Sequence, residues 1–216
     1  MDEKISREIP PHPEKKPRYD LPLTPRSLAE IFSLCADFEQ RRVLPGLMDG
    51  FGCLTLCWLD GLVDGAAVSE DVLRPLTDAR RVMASSGPAQ LADELERGAA
   101  YACTVRRRKS TDDCVADLLG GSCALIFEPL GEALTFETRT TLSRSVSSPA
   151  VEKAIKGGKD AFVETLRTNT SLVRRRLRTP SLKLEQSVVG RLSGTAVALL
   201  YVEGAAKAET VSRLSA

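Results

Sequence analysis

The densest chemistry in the sequence lies between positions 167 and 178. Arg167, Arg174, Arg175, Arg176 and Arg178 put five guanidinium groups on a stretch that holds no acid from Thr165 to Leu184. A guanidinium is permanently charged and planar, and it grips a carboxylate or phosphate with two parallel N–H bonds. Arg167, Arg174, Arg175 and Arg178 are therefore the candidate contact to an acidic partner surface or to a small anionic ligand. The competing reading is a solvated helix face whose last-turn cations complement the dipole. Asp60 and Asp64 follow an apolar run, and Glu203 repeats the position. Strand ends are where α/β proteins place metal or phosphate ligands. Without a Gly-rich phosphate loop or a second acidic cluster, Asp60-Gly61 and Glu203-Gly204 read instead as turns capped by their own carboxylates. Arg106-Arg107-Arg108-Lys109 reads as the solvated end of a strand rather than a phosphate grip.

Much chemistry is excluded. The single histidine, His12, lies in a proline-rich leader, so no triad, dyad or zinc site that needs an ordered imidazole is expected. Six cysteines, Cys35, Cys53, Cys57, Cys103, Cys114 and Cys123, contain no CxxC pair and sit mostly in apolar runs, as reduced, buried thiols do. We expect no catalytic residues, no cofactor and no metal, and hence no enzyme. An Mg²⁺ site on Asp60 and Asp64 would lack any accompanying base or nucleophile.

The elements that must position the arginines follow from periodicity. Six prolines in residues 10–25, and charges on half of the first 20 residues, predict a disordered leader over 1–25. Ser27-Leu28-Ala29-Glu30 has the form of a capping box, which predicts a helix from Ser27 to about Asp37. Gly52 to Leu59 reads as a buried strand ending in a turn at Asp60-Gly61. A helix then starts near Ser69, and Pro75 should cut it short or kink it. Further helices are predicted over Pro88–Arg97 and Thr111–Leu119, the latter stopped by Gly120-Gly121. Strands are predicted over Ala100–Arg106, Ser122–Phe127 and Ala133–Thr138.

In the second half, a short strand near Glu152–Lys156 and Gly157-Gly158 precede a helix from about Asp160 to Arg178. Phe162, Leu166, Asn169, Val173 and Leu177 follow at helical spacing and predict the core face, with Asn169 buried and tied to neighbouring backbone. Leu182–Val189 reads as a half-buried strand, Thr195–Val202 as a fully buried one, and Ala206–Leu214 as a helix start. The segment from Leu56 through Gly61 and Ser69 matches the segment from Leu199 through Gly204 and Ser212 at a constant offset of 143 residues. Each is a strand, an aromatic, an acid–glycine turn and a helix. This gives an α/β protein of two small subdomains, 26–145 and 146–216.

Lys plus Arg number 30 against 29 Asp plus Glu, so a generally basic nucleic-acid binder is excluded, and no nucleic-acid partner is expected. The longest apolar run, Ala196–Val202, is far short of the ~20 residues that span a bilayer. Neither it nor the N-terminus reads as a membrane span or secretory signal.

The run from Ala154 to Arg178, with Val189-Gly190-Arg191 and Thr195 to Gly204, resembles the A subunits of the GerA family of spore germination proteins. Phe162, Glu164, Leu166, Asn169, Leu172 and Arg174 to Arg176 fall on that family's F-x-E-x-L-x-x-N-x-x-L-I-R-R-R pattern. Trp58 to Asp64 with Val72 to Leu76 gives a weaker match. The resemblance covers about 28 to 214. The departures are Gly158 for proline, Gly194 for a basic residue and Lys207 for Asp or Asn. The resemblance implies a cytosolic soluble domain of a nutrient germinant receptor A subunit, built from two α/β subdomains with mixed sheets, the second incomplete. It implies an assembly or signal-relay role with B and C subunits and other A subunits, at the cytosolic face of the spore inner membrane. Membrane attachment would come through helices absent from this chain, which is expected to be a fragment or a truncated gene product. The alternative from the residues is a small anionic-ligand domain with its site between the subdomains.

Overall fold

The computed structural model describes residues 18–44, 54–77, 87–99, 103–140 and 161–215. Alternation builds the first sheet. In β2 (Leu54–Leu59), Leu54 and Leu56 point to one side and Cys57 and Leu59 to the other. In β4 (Cys123–Phe127), Cys123, Leu125 and Phe127 join the first side, and Ala124 and Ile126 the second. Strands apolar on both faces must be covered on both. With β1 (Phe38–Val43), β3 (Val105–Arg108) and β5 (Glu132–Phe136) they form a sheet of order β1-β2-β4-β5-β3.

One face is covered by α1 (Pro25–Ile31) and by α4 (Thr111–Leu119). The other is covered by two helices that change to π-helical turns, α2 (65–77) and α3 (88–99). A separate two-stranded sheet, the hairpin β6 (Leu182–Val189) with β7 (Thr195–Val202), follows α5 (Leu166–Arg176) and precedes α6 (Ala208–Ser215); these elements are called the second unit, and the five-stranded sheet with its helices the first.

The α/β expectation holds, with one correction: the sheets expected to be mixed are antiparallel throughout. In the hairpins β4–β5 and β6–β7 short connections make them so. Between β4 and β5 there is only a 3₁₀ turn, Glu128–Leu130, and Gly131 at φ 63, and a tight turn can join only antiparallel strands. Among the described residues parallel pairing is confined to an isolated bridge between the units, Cys35 to Leu184. There Ala36 N–H donates to Leu184 O (2.8 Å) and Leu184 N–H to Leu34 O (2.9 Å). Leu34 takes a positive φ of 58°, which costs a non-glycine residue about 1–3 kcal/mol, to aim that carbonyl across.

Several boundaries move. Residues 18–25, expected in the leader, are docked: Leu23 is buried, and the Arg18 and Tyr19 N–H groups donate to the Asp112 carboxylate at 2.7 and 3.1 Å. Residues 1–17 lie outside the described residues. The cap of α1 is Thr24, whose Oγ1 accepts from Ser27 N–H (3.1 Å), because Pro25 already suits the first helical position. Asp64 caps α2, accepting from Ala66 and Ala67 N–H. Pro75 does not break α2. It lies in the last turn, after the π turn Val68–Leu73 has shifted the hydrogen-bond ladder. β7, expected fully buried, is exposed over Thr195–Val197 and only half-buried from there to Val202, because among the described residues it pairs on one side only. The expected strand near Glu152–Lys156 and Gly157-Gly158 lie outside the described residues.

Candidate functional site

The face that α5 turns inward is polar. Its buried residues are Thr170, Ser171, Leu172 and Arg174. The stripe expected to be core is displaced: Phe162 is 71% and Leu177 44% exposed, and Leu166, Asn169 and Val173 are half-buried. The cause is what α5 packs against, the Asp60-Gly61 turn and Asp37, where guanidinium groups find partners and leucines would not; the buried Thr170 and Ser171 hydroxyls donate instead to Arg167 O and Thr168 O of their own helix. Gly61 permits the approach. It has φ +79, and a Cβ there would stand 3.0 Å from the Ser171 Cβ. The helix also starts later than Asp160. Residue 163 is held outside it by Asn169, whose Oδ1 accepts from Val163 N–H (2.8 Å) and whose Nδ2 donates to Val163 O (2.7 Å). The amide thus bonds backbone, as expected, but from a half-buried place.

Arg174, a candidate surface contact, is buried. Its side chain is 1% exposed and meets Asp37, 7% exposed, through Nε–Oδ2 (2.9 Å) and Nη2–Oδ1 (2.8 Å). Its Nη1 donates to Leu182 O (2.7 Å) and Thr179 O (3.1 Å). Arg167 pairs with Asp60 in the same two-bond form, at 2.7 and 2.6 Å, but in the open. That bond raises the Arg167 pKa. Asp60, expected to cap its own turn, is thus an inter-unit acceptor. Arg175 donates to Thr140 O (3.2 Å) and Gly61 O (3.5 Å). Burial lowers its pKa, and the nearby Arg139 and Arg178 add to the effect. Arg178 is exposed, with its Nε on Arg175 O (3.2 Å).

Glu164 is exposed. Glu203 donates its N–H to Ser181 O (2.8 Å), its carboxylate lies 3.4 Å from the buried Lys183 Nζ, and Gly204 repeats the positive φ of Gly61 at +82. Arg106 to Lys109, read as a solvated strand end, are held in ion pairs. Arg106 meets Glu137, Arg107 meets Asp93, Glu96 and Glu132, Arg108 meets Asp117, and Lys109 meets Glu132.

Between the units opens a cleft of about 300 Å³, lined by Asp64, Thr140, Thr165, Arg167, Thr168 and Ser171 among others. Its walls offer hydroxyls, one guanidinium already engaged by Asp60, and the start of α5, where Thr165 makes no side-chain cap. No group of three or more His, Cys, Asp or Glu that could hold a metal comes together among the described residues. The five described cysteines are free, and burial pushes the Cys57 and Cys123 thiols up to about 12. Asp37 and Thr140 escaped the sequence reading. Asp37 is a single acid between a helix end and a strand, and nothing local marks it as the partner of an arginine 137 positions away.

The model of the Bacillus/Clostridium GerA spore germination proteins matches residues 26–216. The chain belongs to the GerA family. Among relatives of this GerA chain, spore germination protein KA of Bacillus subtilis (strain 168) is 28% identical over 152 residues, which are 70% of this chain and 27% of that protein. Spore germination protein A1 of the same organism is 32% identical over 102 residues, 47% and 21% of the respective lengths. This chain thus spans under a third of the curated relatives it matches. Among solved structures, the crystal structure of the N-terminal domain of the A subunit of the Bacillus megaterium spore germinant receptor GerK3 superposes with a TM-score of 0.65. The identity is 22%, with 87% of this chain and 66% of that one covered. The two share a fold. No described helix is long and apolar enough to cross a membrane.

Proposed function

We propose that this chain is the N-terminal domain of a germinant receptor A subunit and acts in spore germination as an assembly and signal-relay module, without catalysis of its own. The observation that carries the reading is the seam between the two units. Directional bonds dominate it: the buried Arg174–Asp37 pair, the open Arg167–Asp60 pair, and the Cys35–Leu184 bridge. A broad apolar interface slips with little energetic signature, whereas two-bond ion pairs and a strand bridge fix one register. A displacement of the hairpin or α5 is thereby passed to the Asp60-Gly61 turn and, through β2, to the centre of the first sheet. The partners in this reading are the B and C subunits and other A subunits, met at the cytosolic face of the spore inner membrane.

The test exchanges the open pair in spores whose receptor carries this domain. Arg167→Asp should leave receptor levels intact and impair the germination response to nutrient, and Asp60→Arg with Arg167→Asp should restore it. A normal response in the single variant sinks the relay.

A further inference from the structure

The seam arginines fall into two classes. Arg167 and Arg174 each meet a carboxylate. Arg139, Arg175 and Arg178, by contrast, bond only neutral carbonyl oxygens among the described residues. Arg139 Nε donates to Gly120 O (2.7 Å), Arg175 to Thr140 O and Gly61 O, and Arg178 Nε to Arg175 O. These bonds also gather the three. Arg175 sits on the carbonyl of the residue next to Arg139, and Arg178 folds back onto Arg175. The side chains of Arg139 and Arg178 are exposed and that of Arg175 is half-buried, with its Nε sealed from water and unpartnered among the described residues. Within this gathering burial lowers the pKa of Arg175, and Arg139 and Arg178 lower it further. Like charges held together in a partly desolvated place are unfavourable until a counter-charge joins them. A guanidinium has five donors, so bonds to one or two carbonyls leave donors for a further acceptor.

We propose that Arg139, Arg175 and Arg178 form a binding site for a small, doubly charged oxyanion of the phosphate class. A lone carboxylate has one charge and two oxygens, enough for one guanidinium fork. A phosphate offers three or more oxygens and close to two charges, which suits three cations arriving from two sides. The assignment goes beyond the relay reading and does not depend on it. It also changes the arginines involved: Arg174 is buried on Asp37, and Arg139 enters from the first unit.

The test uses inorganic phosphate and the chain in vitro at constant ionic strength set with chloride. Phosphate should raise the thermal midpoint and shift the arginine Nε–Hε resonances in a saturable way. Arg139→Gln with Arg178→Gln, both on exposed side chains, should fold like the parent and weaken the phosphate affinity by about tenfold or more. A phenyl phosphate arm should follow inorganic phosphate if a monoester fits, and exclude monoesters if it does not. The site is overturned by an equal midpoint shift with chloride and phosphate, by no saturable response, or by an unchanged phosphate affinity in the double variant. Germination tests of the Arg167 and Asp60 variants leave this outcome untouched, so the two readings fail separately.

Discussion

The same supersecondary unit occurs twice in this protein and is used in opposite ways. β2, Asp60-Gly61 and α2 form a strand, a turn with glycine at φ +79, and a helix; β7, Glu203-Gly204 and α6 repeat this with glycine at +82. β2 lies between β1 and β4, with Leu54, Leu56, Cys57 and Leu59 fully buried. Among the described residues β7 has one partner and α6 buries none of its own. Leu172, Leu182 and Leu184 are the buried hydrophobics of 161–215, whereas Phe162, Val188, Val189 and Leu192 stand exposed there. Equal local patterns therefore do not give equal energies. A strand is stabilised by what covers it, and the second unit is held less by its own core than by ion pairs and a backbone bridge to the first.

This contrast can be broken or sharpened experimentally. The largest effect expected is alkaline. Burial raises the folded-state pKa of Cys57 and Cys123 from 9.0 to about 12, so the folded state holds protons that the unfolded chain releases. Stability is then full below pH 9 and falls as pH rises through 9 to 12. In the second unit the Tyr201 pKa, raised from 10.0 to about 12 chiefly by its bond to Glu185, adds a loss that starts nearer pH 10. Urea midpoints across that range test this, and a flat profile would deny that the thiols are sealed.

Next comes the buried seam: Arg174→Met should cost about 3–5 kcal/mol, because it strands Asp37. Loss of under 1 kcal/mol in denaturant melts would mean that Asp37 reaches water. Leu56→Ala should then cost about 2–5 kcal/mol, but Leu199→Ala at the repeated position only about 1, and similar costs would erase the contrast. Gly61→Ala should exceed Gly204→Ala, since both pay for positive φ, about 1–3 kcal/mol, but only Gly61 also faces Ser171. The smallest effect belongs to Arg167→Gln, under about 1 kcal/mol, because its pair with Asp60 is exposed. A larger thermal loss there would make that pair a structural anchor.

Where one short segment carried its own signal, the sequence was legible. Thr111–Leu119 with its Gly120-Gly121 stop, and the strands Leu182–Val189 and Thr195–Val202, stand where their patterns put them. The start of α1 was misread because Thr24-Pro25 and Ser27–Glu30 both carry capping chemistry, and the choice depended on Leu23 docking upstream. The candidate site was half legible. The arginines are all present, but their destinations were not, since Arg174 is spent on Asp37 and Arg175 on Thr140 and Gly61.

What the sequence determined by itself is therefore local: hydrophobic period, glycines at positive φ, and the F-x-E-x-L-x-x-N pattern, including an Asn169 that bonds backbone. What only the tertiary structure decided is which face of α5 is inside. Periodicity assigns the apolar stripe to the core on the premise that burial is hydrophobic. Here the surface that receives the helix presents Asp37, Asp60 and bare carbonyls, so arginine is the residue whose burial leaves fewest bonds unmade, and serine is tolerated because its hydroxyl bonds its own helix. Asp37, Asp60 and Gly61 lie more than a hundred residues from their arginines and Thr140 lies 35 away, so no short window of the sequence contains both sides of the contact.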